Sequence, residues 1–288
     1  MRLPAAVGAL RSAHESYGRH ACSELAAALA YRVLFSLVPF IALLAALLDA
    51  ILPPDTRADV VGWLLGALPG TTVQTGVEQE LAKTGAITSL AGMIAFGALI
   101  WTASGMTRSL RVALAVIWGA EPQLAFVRAK LRDIAALGVL AALLVAVFAL
   151  SVITQVAVQA GADLSTALGF VGAAAFVARV AEIALTATAT FAALLLVYRM
   201  GAPVEVPLKV VWPGALATAL AIDAGVAGYA FYLVQIAGFD TIYGPLGAVL
   251  AFLALLYFVA MLVLFGAELV TATSREAERE LVEARVAG

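Results

Sequence analysis

The chain has 288 residues, 64% of them hydrophobic and 12% charged, with a mean hydropathy of +1.03. A soluble domain carries about 25% charged residues, so two soluble domains are excluded at this length and a membrane protein is indicated. A net charge of −2 offers no basic field for nucleic acid, and the single cysteine, Cys22, excludes an internal disulfide framework.

Residues 1–24 hold Arg2, Arg11 and Arg19 together with the only two histidines, His14 and His20, and are predicted to form a cytoplasmic amphipathic segment. A spanning helix needs roughly 20 apolar residues. The first such run, between Glu24 and Asp49, is interrupted only by Arg32 and predicts a span over 25–50. It starts too late and runs too long for a cleavable signal peptide, and is expected to be an uncleaved span. Pro53 to Gly70 begins with a turn and continues as a short apolar segment, expected in the outer interface with Trp63 as an anchor. The charge-free run between Lys83 and Arg108 predicts a second span over 87–107.

Met106 to Trp118 follows, with Arg108 and Arg111 on one side of a helix and Leu110, Leu114 and Ile117 on another. That pattern predicts a basic amphipathic helix on anionic lipid at the inner surface. Uncharged residues between Asp133 and Asp163 predict a third span over 134–158. The fourth, over 172–198, contains Arg179 and Glu182, and the fifth, over 208–237, contains Asp223. The sixth, over 244–270, opens with Gly244, Pro245 and Gly247, with Tyr243 just before it at the outer interface, and reaches Glu268; residues 271–288 form a charged tail. Proline in a first helical turn is tolerated, because its missing N–H would have no partner there. The expected fold is therefore all-α: six transmembrane helices over 25–270, with short interfacial amphipathic helices.

Topology follows from basic residues, which favour the cytoplasmic side. Thirteen of the 17 Lys and Arg residues fall in the N-terminal segment, the second-to-third and fourth-to-fifth connections and the tail. The opposite loops hold only Arg57 and Lys83. Both termini are expected to be cytoplasmic, in a multi-pass protein of the bacterial inner membrane.

The polar residues inside these spans are the candidate site. Arg32, Ser36 and Pro39 fall at i, i+4 and i+7, one stripe on one helix face. Pro39 cannot donate to the carbonyl of Phe35, and a freed carbonyl in lipid needs a partner. Two readings stay open: a stripe facing a watered cavity, or an arginine snorkelling to headgroups beside a bent helix. Glu268 sits at a depth matching Arg32 and is the expected partner in the first reading. Arg179 and Glu182, at i, i+3, can meet, and Asp223 lies at a similar depth. They serve either as an ion-pair network holding the bundle or as a polar pathway for a substrate. Tyr243 and Gly244 are candidates at the start of the last span, against the plainer reading of a well-made helix terminus.

Catalytic constellations are missing from the sequence. There is no HExxH, no cysteine pair and no GxxxxGK[ST]. Both histidines precede the first predicted span, so no nucleophile–histidine pair is expected. Neither enzyme activity, cofactor nor bound metal is expected.

Several stretches together resemble one family. Ala27, Ala28, Tyr31, Ser36 and Pro39 in AALAYRVLFSLVPF are similar to the first-span hallmark of the YihY/BrkB inner-membrane family. Trp101-Thr-Ala-Ser-Gly105 resembles its second-span ending, and TIYGPLGAVLAF with Phe265-Gly-Ala-Glu-Leu269 resembles its sixth-span signature. One departure is Leu255-Leu256-Tyr257, where a tryptophan often precedes the tyrosine. The family was once labelled ribonuclease BN, a chemistry for which this sequence offers no residues. The resemblance implies a six-helix bacterial membrane protein with a suspected transport role. A secondary transporter or exporter of a lipid or small solute is the expected function. The alternative is a non-transporting scaffold for envelope assembly. Expected partners are membrane lipids and an unidentified solute or lipid substrate, without nucleic acid; self-association into a homo-oligomer is left open.

Overall fold

A computed structural model describes residues 3–51, 90–119, 173–201, 207–235 and 245–286, and the described residues contain six helices and no strand. The first, α1, is Leu3–Arg19, with Ala9, Ala13 and Ser16 buried along one stripe. It ends where Ala21 adopts a left-handed backbone (φ 49°). Side chains other than glycine's take that conformation at a cost of about 1–2 kcal/mol. Here it allows the Ala21 carbonyl to accept from the N–H groups of Glu24 (3.1 Å) and Leu25 (3.2 Å), which starts the next helix.

That helix, α2, is Cys22–Ile51, and α3 is Leu90–Trp118. The second predicted span and the basic segment after it are thus one continuous helix rather than two. No glycine or proline follows Gly105 before Gly119, whose positive φ ends it. Of the predicted faces, Leu114 and Ile117 are fully buried and Arg108 is exposed, while Leu110 and Arg111 are both half-buried. Next come α4, Ala173–Gly201, α5, Leu208–Gln235, and α6, Pro245–Val286. The 42 residues of α6 reach about 63 Å, twice the roughly 30 Å of a bilayer core. The charged tail is therefore an extension of the last apolar helix; no glycine or proline between 267 and 286 stops it.

Two described stretches, Leu208–Leu233 and Val249–Glu276, are long and apolar enough to cross a membrane, and Ile183–Arg199 is a shorter apolar stretch. The predicted third span, the interfacial segment at 53–70, and Tyr243 and Gly244 lie outside the described residues.

Contacts divide the chain into two units. The first comprises Met1–His20, Leu114–Gly225 and Leu262–Gly288. Within it α1 lies along α6: the rings of Tyr17 and Phe265 are 5.9 Å apart, and Glu276 stands 3.1 Å from where a Cβ on Gly8 would lie. Helices α5 and α6 run antiparallel at close range. A Cβ on Gly214 would overlap Val270, and one on Gly266 would overlap the hydroxyls of Thr218 and Tyr198. Small residues permit such approach in lipid, where packing and hydrogen bonds drive helix association. The second unit comprises Ala21–Ala113 and Val226–Met261. There the Tyr229 hydroxyl donates to the carbonyl of Ala251 at 2.6 Å, and the guanidinium of Arg32 lies over Gly105.

Candidate functional site

The first unit holds a sequence of polar groups along α4, α5 and α6, buried at Glu268, Thr218 and Tyr198 and half-buried at Asp223 and Thr190. At one end is Glu268, only 2% exposed. A carboxylate only accepts hydrogen bonds, so the Nδ1–H of His20 donates to its Oε1, at 2.5 Å. His20 is a quarter exposed and stands at the turn that ends α1, so the pair joins a buried acid to a group that reaches the surface.

Two residues back along α6, Gly266 leaves room for two hydroxyls. Tyr198, buried on α4, donates to the carbonyl of Val263 at 2.7 Å, and Thr218 on α5 donates to Gly214 at 2.7 Å. Both hydroxyls lie where a Cβ on Gly266 would stand. Five residues on from Thr218 is Asp223, whose Oδ1 accepts from the Thr190 hydroxyl of α4 at 3.0 Å. Its Oδ2 is buried and has no partner among the described residues. The antiparallel register set by Gly214–Val270 and Thr218–Gly266 puts Glu268 and Asp223 about 10 Å apart along the helices. Carboxyl groups stand at both ends, with hydroxyls between them.

The sequence-predicted residues fall out as follows. Glu268 is buried as an interior acid, and its described partner is His20, which sequence reasoning set aside with the other histidine. The available signal was position: His20 precedes the first apolar run, at the side of the membrane assigned to the end of the last. Asp223 meets Thr190, a partner hidden in the threonine-rich stretch ALTATAT; Arg179 and Glu182 lie on α4, with side chains outside the described residues. Arg32 is exposed on α2, Ser36 turns its hydroxyl back onto the Val33 carbonyl at 2.8 Å, and the side chain of Pro39 lies outside the described residues. Tyr198 and Thr218 were not singled out from the sequence, and Gly266 entered only as part of the motif over 265–269.

Two described helices of membrane-crossing length, carrying carboxyl and hydroxyl groups on their packed faces, fit a helical membrane protein. Comparison with known proteins gives the family: the chain belongs to the BrkB family, whose model, described as virulence factor BrkB, matches residues 13–287. It is 30% identical over 281 residues to a UPF0761 membrane protein of Rhodospirillum centenum, in an alignment covering 96% of this chain and 59% of that relative. The chain therefore spans less than two thirds of that relative's length. No solved structure matches it.

Proposed function

We propose that this protein is a secondary transporter or exporter of a small solute or lipid. In this reading it crosses the bacterial cytoplasmic membrane six times, keeps both termini in the cytoplasm and catalyses no reaction. The sequence of polar groups from buried Glu268 through Thr218 and Tyr198 to half-buried Asp223 supports it. Ionisable residues inside membrane helices are costly, and where they occur they mark ion, proton or substrate pathways. A bundle needing only rigidity could fill these positions with apolar side chains. Instead the buried acid Glu268 is bonded to an accessible histidine, and Asp223 retains one oxygen with no partner among the described residues.

One observation favours the scaffold alternative. The bond from Tyr198 to Val263 ties α4 to α6, which serves a rigid bundle equally well. Purified protein in liposomes, screened against osmolytes and labelled lipids, separates the two. Transport predicts solute movement that Glu268→Gln and Asp223→Asn each reduce at least about tenfold, a transition-state loss of about 1.4 kcal/mol. Identical behaviour of protein-loaded and empty liposomes across the screen favours the scaffold.

A further inference from the structure

Arg32 poses a separate question. It stands on α2 among apolar neighbours, is exposed, and has no carboxylate partner among the described residues. Its guanidinium occupies the notch left by Gly105 on α3: Nη1 lies 2.7 Å from where a Cβ at that position would be. Any larger residue at 105 would displace it. Arg108 follows Gly105 by three residues, so it is a neighbour on the same helix surface. It too is exposed and has no carboxylate partner among the described residues. Arg32 thus lies over Gly105, and a second permanent cation, Arg108, follows on the same helix within one turn of that glycine.

The surroundings indicate where this notch sits. Trp101, one turn before Gly105 on α3, is 82% exposed, and Tyr31, next to Arg32, is 57% exposed. Exposed Trp and Tyr in membrane proteins gather at the headgroup level, where phosphate oxygens are concentrated. Guanidinium is a planar fork of N–H donors that fits phosphate in a bidentate way, and an ammonium does not.

We propose that Arg32 and Arg108 form a binding site for a phosphate oxyanion, whether carried on a lipid headgroup or free, with Gly105 as the notch that holds Arg32 in place. The site deepens the transport reading by naming a substrate class. It is tested by equilibrium binding, so it can fail while transport stands, and the reverse.

The test uses the full-length protein in detergent and native mass spectrometry. The probe is phosphatidylglycerol, with diacylglycerol as the phosphate-free control and inorganic phosphate as competitor. Phosphatidylglycerol should be retained over diacylglycerol, and Arg32→Gln and Arg108→Gln should each weaken retention about tenfold, as expected for a charge-assisted bidentate contact. Gly105→Ala keeps both arginines yet should weaken it too, because the added methyl displaces Arg32. Arg199→Gln, which removes an exposed arginine on α4, should change retention less than about twofold. Displacement by millimolar inorganic phosphate identifies a site open to free anions; retention in its presence identifies the lipid headgroup as occupant. Equal retention by wild type, Arg32→Gln and Arg108→Gln overturns the proposal, as does an equal loss in Arg199→Gln. Should Arg32→Gln fail to fold, Arg32→Lys and Gly105→Ala carry the same test.

Discussion

His20 Nδ1 lies 2.5 Å from Glu268 Oε1, joining residues 248 positions apart and holding the end of α1 against the buried face of α6. The acid is 2% exposed, so the histidine supplies a hydrogen bond that water cannot. Removing one member of a buried polar pair costs more than removing both, because the survivor has lost its water as well as its partner. His20→Ala and Glu268→Ala should each destabilise the protein by about 1–3 kcal/mol. The double variant should lose less than the sum, with a coupling on the order of 1 kcal/mol. Thermal unfolding in detergent measures it, and strictly additive losses would show that the contact contributes nothing.

Gly266 and Gly228 offer a matched comparison. A Cβ on Gly266 would overlap the hydroxyls of Thr218 and Tyr198, whereas one on Gly228 meets nothing within 4 Å. Gly266→Ala should destabilise by about 1–3 kcal/mol through overpacking. Gly228→Ala should be neutral or slightly stabilising, since alanine is the better helix former. Both can be ranked by the temperature at which the detergent-solubilised protein aggregates; equal values for the two variants would contradict the close approach at Gly266.

The distribution of Lys and Arg predicts a cytoplasmic C-terminus. Alkaline phosphatase fused after Gly288 should be inactive, and a fluorescent protein fused there should be bright. The opposite pair of results would invert the topology.

Ribonuclease activity is not expected. Detergent-purified protein should degrade RNA no faster than a matched mock preparation. Activity that follows the protein through purification and disappears in Glu268→Gln or Asp223→Asn would reverse this expectation.

Continuity of the helices was only partly legible in the sequence. The run from Leu90 to Trp118 changes from apolar to basic partway, and that change suggests a span followed by a surface helix. Backbone hydrogen bonds respond to breakers rather than to polarity, and none occurs after Gly105 until Gly119, so one helix forms. The same reasoning joins the charged tail to α6. Ala21 shows the converse: alanine is the strongest helix former, and nothing local marks it as the residue that ends α1 in a left-handed conformation.

Composition and hydropathy alone determined that this chain belongs in lipid and is helical. Both properties are local: a backbone segment among hydrocarbon must satisfy its own hydrogen bonds, and twenty apolar residues in a row suffice to show it. The short motifs around Tyr31, Trp101 and Glu268 pointed to the family for the same reason, being readable without knowing what they touch. Partner choice is not local. That Glu268 meets His20, that Asp223 meets Thr190, and that Tyr198 and Thr218 share the space above Gly266 depend on the register of α1, α4 and α5 against α6. A shift of one residue turns a helical side chain by about 100° and replaces each of these contacts. Only the packed helices set that register.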